Sequence, residues 1–133
     1  MKRFLLLFTA ILIFFGSYGQ DTPVSISGPV ISWETPSHDF GDIKEGERVE
    51  TTFKFTNSGS SPLVITNVEV TCGCTTPKGW PRDPIMPGEK GELTVAFNSA
   101  GKYGRQNKVI KVISNAGGEK NQVMFSANVL VKE

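Results

Sequence analysis

From Ile31 to Val131 the apolar residues of this chain recur at every second position, and turn-forming residues interrupt them at short intervals. That period belongs to strands buried on one face, because successive side chains of a strand point to opposite sides. Val123, Phe125, Ala127, Val129 and Val131 alternate without a break. Val49, Thr51, Phe53 and Phe55 do the same, against Glu50, Thr52 and Lys54 on the other face. Leu93, Val95 and Phe97 form a third such run, entered through Pro87-Gly88. There Pro sets φ at the first central turn position and Gly accepts positive φ at the second. Asn57-Ser58-Gly59 ends one strand and Leu63-Val64-Ile65 begins the next. The apolar phase then slips to Val68 and Val70 after Thr66-Asn67, which predicts a bulge.

Lys108 to Ser114 is apolar on both faces, at Val109, Ile110, Val112 and Ile113, so it is expected at the centre of a sheet. Short strands near Ile31-Ser32-Trp33 and Phe40 to Ile43 bring the count to about seven. After the N-terminal segment no window of ten residues carries helical spacing. The expectation is an all-β fold, an immunoglobulin-like sandwich whose two sheets pack their apolar faces together. An antibody-type domain would place cysteines on two facing strands around a core tryptophan. They are absent, so the likeness is one of architecture. Phe53, Phe55, Phe97 and Phe125 are assigned to the core by periodicity, and Trp33 joins them.

The N-terminal segment reads as a secretory signal. Lys2 and Arg3 precede an apolar run from Phe4 to Phe15, and Ser17-Tyr18-Gly19 offers small residues at the two positions a signal peptidase inspects. The run is shorter than the ~20 residues a transmembrane helix needs. Cleavage is expected after Gly19, and the absence of a cysteine there argues against a lipoprotein anchor. Residues 1–19 are thus a signal peptide, 20–30 a flexible lead-in with Pro23, Gly28 and Pro29, and 31–133 the sandwich domain. Export to a bacterial periplasm or the extracellular medium follows, with no membrane span after cleavage. Without Lys2 and Arg3 the chain carries 12 basic and 13 acidic residues. A net charge near −1 provides no electrostatic footprint for nucleic acid or an anionic membrane.

The two cysteines, Cys72 and Cys74, are separated by one glycine. A bond between them closes almost no loop, so ordinary stapling explains them poorly. Gly73 can turn or bulge the chain so that the two Cα atoms come within the ~4.4–6.8 Å a disulfide allows. Three readings follow: a rigid oxidised turn, a thiol–disulfide pair, or a soft-metal site for copper. For the metal, Met86 is the soft third ligand within reach in sequence, though a methionine there also suits a gap in the core. His38 is the only histidine; beside Asp39 it reads either as an oriented base or as a solvated residue ahead of a strand. Trp80, between Gly79 and Pro81 in an irregular stretch from Thr75 to Met86, is either an exposed platform for a ligand or a plug over the cysteine pair. Glu45, Glu47 and Glu50 beside Lys44 and Arg48 read as a solvated, protected sheet edge. Nothing resembles a nucleophile elbow, a metal-binding helix or a phosphate loop.

Phe40-Gly41-Asp42-Ile43, Glu45-Gly46-Glu47, Phe53-Lys54-Phe55-Thr56-Asn57, Pro62-Leu63-Val64-Ile65, Thr71-Cys72-Gly73-Cys74-Thr75, Pro77, Trp80, Pro84-Ile85-Met86-Pro87-Gly88 and Ser114-Asn115 occur in that order. Together they resemble the bacterial domain-of-unknown-function family fifteen seventy-three, frequent in exported proteins of the Bacteroidetes. Thr71 stands where most members carry Ser, another hydroxyl. The resemblance implies export and kinship with the Hydin and major-sperm-protein immunoglobulin-like domains, which bind proteins. The expected function is a non-catalytic interaction or scaffolding module of the cell envelope, with another envelope protein or a peptide as partner. It would bind through a sheet edge or through a loop bearing Trp80 and Met86, and needs no cofactor. The alternative is a thiol-based role, redox or copper-binding, for Cys72 and Cys74.

Overall fold

The computed structural model describes Gly19, residues 28–117 and residues 121–131. The expected signal peptide, apart from Gly19, and residues 20–27 of the expected lead-in lie outside the described residues. Eight strands follow one another: β1 (Ile31–Trp33), β2 (Ser37–Lys44), β3 (Arg48–Asn57), β4 (Ile65–Val70), β5 (Thr75–Gly79), β6 (Lys90–Asn98), β7 (Gly104–Ser114) and β8 (Gln122–Leu130). They form two four-stranded sheets, ordered β1-β3-β6-β5 and β2-β8-β7-β4. Among the described residues none is helical. The all-β sandwich expected from periodicity is thus the fold.

Strand by strand, alternation becomes burial. Phe53 and Phe55 of β3, Leu93, Val95 and Phe97 of β6, and Val123, Phe125, Ala127 and Val129 of β8 are all buried. Phe97 and Phe125 belong to different sheets and meet with ring centroids 5.2 Å apart, so they join the layers directly. Burying one such ring stabilises by about 2–3 kcal/mol, with about 0.5–1.5 more for a well-placed aromatic pair. Trp33 is partly buried and packs edge-on to Phe55, 5.2 Å away. As its two apolar faces require, β7 lies between β8 and β4. The register of β4 on β7 slips between Ile65 and Asn67, where the change of apolar phase predicts a bulge.

The chain changes sheets early. β1 pairs with the end of β3, then passes Pro36 and runs on as β2 parallel to β8 in the other layer. Pro36 anchors the crossing by accepting a 3.0 Å hydrogen bond from the Met124 amide. The strand count exceeds the expected seven by β5, which lies in the stretch read as irregular. Pro77 and Gly79 hide it in the sequence, because a proline cannot donate to a ladder. β5 is an edge strand, where the missing donor costs little, and its register shifts between those two residues.

Two residues hold the layers in place beyond their hydrophobicity. Gly91 sits opposite Phe55, and a Cβ on it would lie 2.4 Å from the Phe55 ring. Asn57 is completely buried and uses its whole amide. Its oxygen accepts from the Val30 and Gly59 amides at 3.3 and 3.0 Å, and its nitrogen donates to the Ser61 and Ile85 carbonyls at 2.9 and 2.8 Å. One side chain thereby ties the end of β3 to three separate loop segments. Gly91→Ala is expected to cost about 1–3 kcal/mol through overpacking. Asn57→Ala is expected to cost about 3 kcal/mol, because it strands several buried backbone groups. Urea unfolding measures both; a loss below about 0.5 kcal/mol at either position contradicts that role.

Candidate functional site at an open sheet edge

The sandwich has four edge strands, and three of them are protected. β1 is only three residues long. β5 carries Pro77 and a register shift, and Lys78 pairs with Glu50 of β3. β2 is broken by a register shift between Asp39 and Asp42, with Gly41 at φ +72°, and exposes charged Asp39, Asp42 and Lys44. Short length, proline, bulges and charge are the devices that stop an edge from pairing with a foreign strand. β4 runs six residues, with its one register shift at the start between Ile65 and Asn67, and contains no proline and no lysine. Thr66, Asn67 and Glu69 are exposed along it, while Ile65 and Val68 face the core.

The backbone defines which side of β4 is open. Just before the strand, the Val64 amide donates to the Asn115 side chain at 2.8 Å, toward β7. The Leu63 amide, one residue earlier, points the opposite way and donates to the Ile85 carbonyl at 2.9 Å, and Ile85 donates back to Leu63 at 2.8 Å. Ile85 is therefore a one-residue extension of the sheet on the far side from β7. Beyond it the edge continues along β4 toward Val70. Met86 follows Ile85 and is 48% exposed, in a turn closed by the Glu89 amide on the Met86 carbonyl at 2.9 Å. Gly88, at φ +84°, occupies the turn position that Pro87-Gly88 predicts. Of the alternatives the sequence leaves for Met86, this exposure rules out the core gap.

At the other end of β4 lie the cysteines. Cys72 and Cys74 are joined by a disulfide with Cα atoms 5.2 Å apart. They occupy a turn, closed by the Thr75 amide on the Cys72 carbonyl at 3.1 Å, that carries the chain from β4 in one sheet to β5 in the other. Both are half-buried, and Cys74 packs against the core. The Cys74 amide donates to Cys72 Sγ at 3.1 Å, and the Thr75 hydroxyl is 3.8 Å from Cys74 Sγ. Loop-closure entropy for so short a loop is about 1.6 kcal/mol, against about 3 for a 15-residue loop. The bond thus fixes the turn and does little for the sandwich.

Trp80 does not cover the cysteines. β5 is extended, which carries Trp80 on the order of 15 Å along the sheet from Cys74. There the indole packs on the core, the Arg82 guanidinium lies 4.0 Å from the ring centroid, and the buried Nε1 has no hydrogen-bond partner among the described residues. The plug is real, but at the opposite end of β5.

His38 is distant from this edge as well. It lies on β2, three strand spacings from β4, or ~14 Å. Its ring stacks edge-on against Phe40 at 4.6 Å. Asp39 directs one oxygen to the Gly41 amide at 2.9 Å and the other to Arg105 at 3.8 Å, so it does not orient the imidazole as a base. The Gly41 amide, more than Arg105, holds the Asp39 carboxyl below the usual carboxylate range. Among the described residues no group of three or more His, Cys, Asp or Glu side chains could hold a metal ion. A groove of about 490 Å³ between Trp33 and Pro36 on one wall and Gln122 on the other carries no ionisable side chain. Among the described residues no helix is long and apolar enough to cross a membrane.

Two sheets with this strand order, and β2 running parallel to β8 after a change of layer, define an immunoglobulin-like β-sandwich. Within that class the chain belongs to the family described as "Protein of unknown function (DUF1573)", whose model matches residues 31–129. The family resemblance drawn from the Cys-Gly-Cys-Thr segment and its companions is correct. Among solved structures, a protein of unknown function from Porphyromonas gingivalis W83 is similar with a TM-score of 0.65 at 19% identity, over 83% of this chain and 51% of that one. The ASH / PapD-like domain of human CEP192 is similar with a TM-score of 0.57 at 12% identity, over 94% of this chain and 100% of that domain. The VesB protease of Vibrio cholerae matches with a TM-score of 0.55 at 16% identity, over 77% of this chain and 32% of that one. The chain thus spans about half of the first of these proteins and about a third of the protease, and at such identities the likeness concerns the fold. No curated protein matches it.

Asp39 supplies a check on this electrostatic picture. Its folded value is depressed, so whatever stability it contributes is present above the ordinary aspartate range and is lost as pH falls through the folded value. NMR titration of the side-chain carboxyl should find its midpoint below that range, with most of the depression surviving Arg105→Ala because the Gly41 amide dominates. Loss of the whole shift in that variant contradicts the assignment.

Proposed function

We propose that this protein is a non-catalytic interaction module of the bacterial cell envelope that binds an extended segment of another exported protein by adding it as a strand to β4. The observation that carries this reading is the contrast among edges: β1 is three residues long and β2 and β5 are shifted in mid-strand, whereas the shift in β4 sits at its start and leaves Asn67 to Val70 in regular register without proline or lysine. Strand addition draws its affinity from main-chain hydrogen bonds and its selectivity from pockets for alternate side chains. β4 offers six residues for the first. Met86 at one end and the Cys72–Cys74 turn at the other bound the second. A polarisable, flexible methionine suits a surface that accepts varied apolar side chains. Export rests on the N-terminal signal motif, and the absence of a recognisable catalytic constellation supports a binding role.

The test compares proteins captured from envelope extract by the wild-type chain and by a Thr66→Lys, Asn67→Lys variant, whose added charges guard the edge as lysines do elsewhere. Both positions are exposed, so the fold should survive, as a thermal melt can verify. The expected result is loss of the captured partner in the variant, with retention in Trp80→Ala. An unchanged partner with a well-folded edge variant contradicts binding at β4. Loss on Trp80→Ala alone would move the site to the Trp80 loop.

A further inference from the structure

The disulfide turn has chemistry that strand binding does not use. We propose that Cys72–Cys74 is a thiol–disulfide exchange site that oxidises a protein dithiol, with Cys72 as the sulfur that leaves and Cys74 as the sulfur that is attacked. This does not rest on the binding role of β4.

Three observations lead there. The bond spans a sequence separation of 2 and lies within one turn, so both layers of the sandwich keep their contacts when it opens. Both cysteines are partly exposed at the rim, where an incoming thiolate has access. The two sulfurs are also inequivalent. The Cys74 amide donates to Cys72 Sγ at 3.1 Å, which stabilises negative charge on that sulfur. Among the described residues the contact to Cys74 Sγ is the Thr75 hydroxyl, at 3.8 Å. In thiol–disulfide exchange the better-stabilised thiolate leaves faster, so attack is directed to Cys74.

The electrons balance as follows. A substrate thiolate attacks Cys74 Sγ, the Cys72–Cys74 bond breaks, and its electron pair departs on Cys72 as a thiolate. The substrate is now joined to Cys74 as a mixed disulfide. Its second thiolate attacks its own bonded sulfur, releasing Cys74 as a thiolate and the substrate as a disulfide. Two protons lost by the substrate dithiol are taken up by the two cysteines. The fold should survive, because the Thr75 amide closes the same turn on the Cys72 carbonyl independently of the disulfide and no sheet pairing runs through the bond.

The experiment equilibrates the oxidised full chain with reduced and oxidised glutathione, quenches with acid, alkylates and weighs the products. The expected result is a measurable fraction of reduced protein at millimolar reduced glutathione, with a thermal melt that moves by no more than about 10 °C on reduction. A bond that stays fully oxidised, or a chain that unfolds when it is reduced, overturns the proposal, since either marks a structural staple. A second measurement follows the reaction of Cys74→Ser and Cys72→Ser with a disulfide reagent near pH 6. The lone Cys72 thiol should react about ten-fold faster than the lone Cys74 thiol. Equal rates, or the reverse order, overturn the assignment of roles. Failure of exchange leaves the edge-binding result untouched, and failure of edge binding leaves this one untouched.

Discussion

Phe97 against Phe125, across the gap between the sheets, is the contact on which the rest of this molecule depends. Two sheets need one apolar face each, and the rings of Phe53, Phe55, Phe97 and Phe125 are among the largest side chains that fill it. Everything peripheral follows from keeping those faces together. Gly91 lacks a side chain because Phe55 lies where it would be. Asn57 is polar yet buried because the loops that close one end of the sandwich must be tied down there, and its amide satisfies four backbone groups at once. Ile85 belongs to the same core, and Trp80 packs against it.

A closed core leaves open edges, and the edges are where this chain differentiates itself. β1 and β2 divide one strand's work between two sheets, so neither presents a long, regular edge. β5 is interrupted by Pro77. β4 is regular from Asn67 to Val70, past the bulge at its start, and the chain then leaves it through a tight oxidised turn instead of a hairpin back along its open side. The placement of Cys72 and Cys74 is therefore topological: their turn delivers the chain to the other layer and keeps β4 unpaired. The same turn leaves a half-buried sulfur pair at the rim, outside the strand pairing that holds each sheet.

Much of this could be read from residue order. Periodicity and turn signals located seven of the eight strands, the shift from Ile65 to Val68 marked the bulge in β4, and Pro87-Gly88 marked the turn before β6. The cysteine pair stood out by spacing. What could not be read was governed by long-range partners. β5 was hidden because Pro77 and Gly79 are strand breakers everywhere except at an edge, and only its pairing with β6 reveals it. The position of Trp80 depends on that same strand, so missing β5 misplaced the indole. Met86 has the same composition signal whether it fills a core or faces solvent, and the bridge between Leu63 and Ile85 decides the matter. Asn57 looked like an ordinary turn residue, since nothing local distinguishes a buried amide from an exposed one.

Residue-resolved hydrogen exchange on the free protein is the most direct measurement of whether β4 is an unoccupied edge. Amides of β4 that face β7 should be protected to the level of β7 and β8, while those facing away should exchange orders of magnitude faster. Uniform protection along both sides of β4 would show that the edge is already paired, and would contradict the account.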